Sequence, residues 1–289
     1  MRSARFGLLL SLLLLNIPVS AQQIQSTPTT QQGAALARGL PGLVYSPPVI
    51  LSAAVQDSQA VAIAQKAINA MGGTAIANIQ DCTVQAQSAM APNSPTMSGT
   101  VTWRFAGAEF RIDAPGANGP YSMMTGHGRP GTINGTSQAL PTYVVQAVFV
   151  PVAVASVLAQ ELGNPKMSLR FKDSETLGTE PVEVITTALE TDYPDNVVTP
   201  QTWYFDTSTG LPVRVEFRAP DMKAPTNSFP VAMDLSDYQS VSGVAYPFKV
   251  VSTLNGKNQA VFTVQSVVVN SGIPPSEFDG QFASTGGAK

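Results

Sequence analysis

Thr202-Trp203-Tyr204-Phe205-Asp206-Thr207-Ser208-Thr209-Gly210-Leu211-Pro212-Val213-Arg214-Val215-Glu216-Phe217-Arg218 holds two strand signals and the turn between them. Trp203, Tyr204 and Phe205 are residue types that fit a pleated, half-buried surface. Leu211, Val213, Val215 and Phe217 alternate with Pro212, Arg214, Glu216 and Arg218, which makes one face apolar and the other charged. Asp206 to Gly210 is a short connection ending in a glycine able to take positive φ, so the pair reads as an antiparallel hairpin. Working outward, Val231, Met233 and Leu235 repeat the alternation before Ser242-Gly243 turns the chain. Val244, Tyr246, Phe248 and Val250 then share a face, and Asn255-Gly256 is a strong hairpin signal ahead of a Val-rich return from Gln259 to Val269. A sheet built from Thr202 to Val269 has a wide apolar surface that other parts of the chain, or a ligand, must cover.

The chain has 289 residues, 44% of them hydrophobic, enough to bury a sizeable core in one β-rich domain. A formal charge of −3 and a charged fraction of 12% offer no basic stripe, which argues against a nucleic-acid partner. Met1 to Arg5 is a basic n-region, Phe6 to Leu15 a short apolar run, and Val19-Ser20-Ala21 has the small residues a signal peptidase requires. Residues 1–21 therefore read as a cleaved secretory signal, in preference to a retained membrane anchor, and the expected location is periplasmic or secreted. Cys82 is the sole cysteine, so no internal disulfide is available and the exported domain must rely on packing. It lies far from the cleavage point, where a lipid-modified cysteine would sit, and reads as a small packing residue.

Residues 22–55 are rich in Gln, Thr, Ala, Gly and Pro without apolar periodicity, and read as a low-complexity arm. Asp57 or Ser58 then caps a helix with Ala60, Val61, Ala64, Ala67, Ile68 and Met71 at helical spacing, closed by Gly72-Gly73. Strand chemistry is expected from Ile79 to Met90. A second hairpin is expected from Gly99 to Phe105 and Glu109 to Asp113 around Ala106-Gly107-Ala108, and a third from Ser168 to Leu177 and Glu180 to Glu190 around Gly178-Thr179. Tyr121 to Thr125 is a further short strand. Leu140 to Leu162 differs in kind, being apolar with no charge until Glu161. Pro151 interrupts it and no Lys or Arg flanks it closely, so it is read as an enclosed helix or broken pair of helices rather than a membrane span. The domain is expected to occupy residues 56–280, with a flexible tail over 281–289.

The order of these elements, with several short motifs, resembles the outer-membrane lipoprotein-sorting protein family, the LolA-like periplasmic carriers. The motifs are Ala70-Met71-Gly72-Gly73 with Ile76 and Ile79, Gly99 to Trp103 with Phe110-Arg111, and Trp203 to Asp206 with Gly210 to Arg214. Ser236-Asp237-Tyr238, Gly243 to Phe248 and the closing Asn270 to Phe278 complete the set. The resemblance implies a mainly β (α+β) fold in which a curved antiparallel sheet forms an incomplete barrel and helices cover its concave face. It also implies an apolar cavity that shelters acyl chains. The long arm and the very apolar Leu140 to Leu162 segment depart from the carrier pattern.

Catalytic chemistry is sparse. His127 is the only histidine, and its Gly126-His127-Gly128-Arg129-Pro130-Gly131 setting matches a dinucleotide fingerprint in form but opens no helix. With one His and one Cys, an ordinary zinc site cannot be assembled, and no cofactor motif is present. Asp234 with Asp237, and Glu180 with Glu183, read as solvent-facing carboxylates, and Asp206, Asp237 and Asp279 as turn or strand-end residues. Asn134-Gly135-Thr136 is a glycosylation sequon by form only. The expectation is a non-enzymatic binder of a lipid or acylated protein, with peripheral membrane contact compatible with that role. Trp103, Phe105, Phe110, Met124, Phe149, Trp203, Phe205, Phe217, Phe248 and Phe262 are the candidate lining residues. The alternative is an envelope scaffold or protein-interaction module whose fold is filled by its own side chains.

Overall fold

A computed structural model describes residues 53–90, 98–107, 109–116, 119–125, 132–133, 136–137, 153–189, 200–221 and 224–278. The signal segment, the arm up to residue 52, His127, Phe149, Asp279 and the tail lie outside these residues.

The described chain begins with helix α1 (Ser58–Met71) and a short α2 (Thr74–Ala77), followed by strands β1 (Asp81–Met90), β2 (Gly99–Ala106), β3 (Glu109–Gly116) and β4 (Gly119–Thr125). Two-residue strands β5 (Thr132–Ile133) and β6 (Thr136–Ser137) precede helix α3 (Val154–Gly163). The chain then forms β7 (Met167–Leu177), β8 (Glu180–Leu189), β9 (Gln201–Asp206), β10 (Pro212–Asp221), β11 (Ala224–Val241), β12 (Val244–Leu254) and β13 (Lys257–Val269), and ends in a 3-10 turn over Pro275–Phe278. The described strands make one antiparallel sheet in the order β6-β5-β4-β3-β2-β1-β13-β12-β11-β10-β9-β8-β7. Each strand neighbours the next in sequence except at the β1–β13 junction, and β6 and β7 end the order without pairing with each other. The architecture is an incomplete barrel, as expected.

The turn chemistry accounts for the meander. Ser242-Gly243 and Asn255-Gly256 have φ of 51° and 81°, and 50° and 71°, the two left-handed positions that a tight hairpin turn demands. Asp206 braces the β9–β10 turn: its Oδ1 accepts from the Ser208 hydroxyl and from the Thr209 amide and hydroxyl. One alternation differs from expectation. The β9–β10 register shifts between Pro212 and Arg214, so Val213 joins Tyr204, Val182, Val184 and Leu177 in a small cluster apart from the main core, while Val215 and Phe217 face inward. A single extra residue in one strand flips the side chains that precede it. Asp237 stands inside β11 rather than at a strand end, at φ 56°, where pairing skips from Ser236–Lys249 to Tyr238–Pro247.

The main core lies on the sheet face that carries α1 and α3. Asp57 caps α1 by accepting from the Gln59 amide, and Ala60, Ile63, Ala64, Ala67, Ile68 and Met71 form its buried stripe. Gly72 ends the helix at φ +133°, and a Cβ there would collide with the Gly243 carbonyl oxygen, so α1 is seated on the β11–β12 turn by backbone contact. The described part of the apolar segment, α3, buries Val154, Ala155, Leu158 and Glu161. The principal sheet contacts of α1 are with β7, β8 and β12, and those of α3 with β7 and β12. Gln56 bridges Leu169 in parallel on the β7 edge, and the Val55 amide donates to Ser168 Oγ. At the other end of the chain, Ser271 and Gly272 clasp Asp81, whose carboxylate accepts from both amides and from the Ser271 hydroxyl. Burial opposes ionisation of Asp81, but these hydrogen bonds overcome it and hold the carboxyl below its ordinary range.

Candidate binding site

Among the described residues the concave face is largely apolar. Cross-strand pairing aligns Cys82 with Phe105 and Phe105 with Phe110, then Val84 with Trp103 and Trp103 with Ile112. Phe262 meets Trp103 edge-on with ring centroids 5.7 Å apart, and Trp203 stacks with Phe205 at 6.3 Å. Trp103, Phe105, Phe110, Trp203, Phe205, Phe217, Phe248 and Phe262 thus all belong to the main core or pack against it. Phe110 and Trp203 are completely enclosed, and Phe248 and Phe262 are half-buried.

Met124 does not join them. Tyr121 and Met123 are the inward residues of β4, so Met124 falls on the opposite face, directly across from Arg111. That outer face is polar: Arg104 and Arg111 both bridge to Asp113, at 2.5 and 2.9 Å, and Arg111 also reaches Glu277. Further along it, Arg214 meets Asp234 at 2.6 Å, which gives Asp234 an ion-pair role. An open groove of about 730 Å³ lies beside this pair, lined in part by Thr202, Arg214, Glu216, Arg218 and Thr253, with Phe217 at its border.

A second feature was not foreseen. Glu161 of α3 is 4% exposed and Gln201 2%, while Thr187 and Trp203 are fully buried. Thr187 and Gln201 are directly paired between β8 and β9, and Trp203 lies two residues further along β9 on the same face. Both oxygens of Glu161, Thr187 Oγ1, both polar atoms of the Gln201 amide and Trp203 Nε1 lack a hydrogen bond of sound geometry. Burial pushes the Glu161 carboxyl up to about 7, while the nearby Thr187 hydroxyl and Trp203 N–H pull weakly the other way. Unsatisfied buried polar groups cost about 1–3 kcal/mol each, so such a concentration in an otherwise apolar core is unusual. The sequence carried one trace of it: Glu161 is the first charge after a long uncharged run.

By contrast, Cys82 is an ordinary core residue. Burial raises its thiol to about 12, with the Tyr246 hydroxyl beside it opposing the shift. Among the described residues no group of three or more His, Cys, Asp or Glu is placed to hold a metal ion, and no helix is long and apolar enough to cross a membrane.

No protein-family model and no curated protein matches the sequence. Among solved structures the chain is similar to an outer membrane lipoprotein-sorting protein domain from Vibrio parahaemolyticus, at 11% identity over 77% of this chain and 97% of that one, with a TM-score of 0.43. It is also similar to a LolA superfamily protein from Nitrosomonas europaea, at 13% identity over 76% and 96% of the two chains and a TM-score of 0.47. A DUF1329 family protein from Desulfovibrio piger matches at 11% identity over 75% and 95%, with a TM-score of 0.42. The lipoprotein-sorting resemblance drawn from the sequence motifs recurs in the names of these solved structures.

Proposed function

We propose that the chain is an exported, non-catalytic binder that holds a lipid or the acyl chain of a lipidated protein against the concave face of its sheet. The observation that carries this reading is the disposition of that face. It is aromatic and aliphatic across β2, β3 and β4, where the core residues are buried although α1 and α3 make their principal sheet contacts elsewhere, with β7, β8 and β12. The half-buried Phe248 and Phe262 supply the surface that a hydrocarbon tail would meet first, with the buried Trp103, Phe105, Phe110, Trp203, Phe205 and Phe217 behind them. Each methylene removed from water contributes about 0.8 kcal/mol, so a chain of a dozen carbons binds usefully without any polar catalyst. The secretory signal read in residues 1–21 supports an exported site of action, periplasmic or secreted, where an acyl chain needs shelter from water. Displacement of an apolar fluorescent probe from the purified protein, with extraction and mass analysis of any co-purified lipid, tests the reading. Saturable probe binding and a stoichiometric lipid are expected. A protein that binds neither would be better described as a scaffold filled by its own side chains.

A further inference from the structure

We propose that Glu161, Thr187, Gln201 and Trp203 form a polar anchor within the concave core that receives the uncharged hydroxyl or amide head of an apolar-tailed ligand. This deepens the binding function proposed above and rests on it. The four side chains come from three elements, α3, β8 and β9, and converge on one place: Thr187 pairs with Gln201, Trp203 follows on the same face, and Glu161 approaches Thr187 and Trp203 from the helix. All are buried, and their polar atoms lack a hydrogen bond of sound geometry, Thr187 and Trp203 lying close to the Glu161 carboxyl. A core residue with nothing to recognise would be apolar at these positions, as Ile185, Phe205 and Leu158 are nearby.

The chemistry of the set selects the head group. Trp203 only donates, Gln201 and Thr187 both donate and accept, and Glu161 accepts when ionised and also donates when protonated. A group that itself both donates and accepts answers all four. Hydroxyl and amide heads do so without bringing a charge into the core. A ligand carboxylate would oppose the Glu161 carboxyl, and a quaternary ammonium offers no N–H to Gln201 or Thr187 and no acceptor to Trp203. An alkane leaves the cluster unsatisfied. Sites built to hydrogen-bond a polar group reject analogues that lack it far more strongly than apolar pockets reject an extra methylene.

The test uses the purified full chain loaded with 1-N-phenylnaphthylamine and five competitors of one tail length: dodecanol, dodecanamide, dodecane, laurate and dodecyltrimethylammonium. Dodecanol and dodecanamide are expected to displace the probe at concentrations lower by about tenfold or more than the other three, the scale of one to two hydrogen bonds. Similar potency of the two places the site in the shared hydroxyl and amide chemistry, and a gap between them names which head is preferred. Thr187→Val and Glu161→Leu are expected to reduce the preference to within about threefold while the probe still binds, and Glu161→Gln, which keeps the hydrogen bonding, to retain it. If Glu161→Leu does not fold, Thr187→Val, which matches threonine in shape, decides alone. Equal potency of dodecane and dodecanol would mean that the cluster holds only water, and a preference unchanged in Thr187→Val would place the head elsewhere. Either result overturns the anchor while leaving the binder intact. Failure of the wild type to bind the probe or any competitor overturns both.

Discussion

Replacing Glu161 by Gln is expected to remove a pH dependence of stability that the wild-type chain shows between pH 5 and pH 8. The carboxyl titrates near 7 in the folded chain against an ordinary 4.5, because burial penalises its charge. Between those values the folded state keeps a proton that the unfolded state has released. The contribution is therefore whole below about pH 4.5 and is lost as pH rises through 7. At ~1.4 kcal/mol per tenfold in acidity the full difference is about 3.5 kcal/mol, of which about 2.5 kcal/mol falls between pH 5 and pH 8. Asp81 and Asp206 have lowered values, so their contributions change only in acid, below this window. His127, the one histidine, is common to both chains and cancels in the comparison. Urea unfolding followed by the fluorescence of the buried Trp103 and Trp203 at pH 5, 6, 7 and 8 measures the effect. The wild-type midpoint should fall with pH, and the Gln variant should be nearly level and more stable than wild type at pH 8. A wild-type midpoint that is flat or rises, or an equal slope in the variant, would refute the assignment of a buried, proton-holding carboxyl.

Three further outcomes follow from the packing. Gly72→Ala should cost about 2 kcal/mol or more in urea unfolding, because the residue must hold φ +133° and the new methyl strikes the Gly243 carbonyl. Asp81→Ala should cost about 2 kcal/mol at neutral pH by releasing the hydrogen bonds from Ser271 and Gly272. Since that carboxyl is held below its ordinary value, its contribution is present above about pH 4 and lost on acidification, so wild type and variant should converge in acid. Finally, Phe105→Ser should weaken apolar probe binding markedly, whereas Met124→Ser should leave it within about twofold, because Met124 lies on the Arg111 side of the sheet.

The strands were legible because period-two alternation and glycine-bearing turns are local signals. The Ser242-Gly243 and Asn255-Gly256 turns, the hairpin about Gly107 and the helix capped by Asp57 all stand where residue chemistry puts them. What local pattern could not show was phase and partnership. The extra residue near Pro212 turned Val213 outward although its alternation matched Val215, and Met124 adjoins an equally apolar Met123 that takes the inward position. The β1–β13 pairing, which joins the two ends of the domain, depends on contacts nearly two hundred residues apart, such as Cys82 with Val269. The polar cluster was hidden for the same reason. Thr187 and Gln201 are unremarkable in strands, and only the tertiary fold brings Thr187 and Trp203 beside Glu161 of α3.

The most direct test of the proposed binding function is native mass spectrometry of the purified protein, released gently from solution and then from denaturant. A hydrocarbon-tailed molecule bound at one per chain in the native spectrum and absent from the denatured one is the predicted result. A native mass equal to that of the bare polypeptide, together with no saturable uptake of an apolar probe, would contradict it.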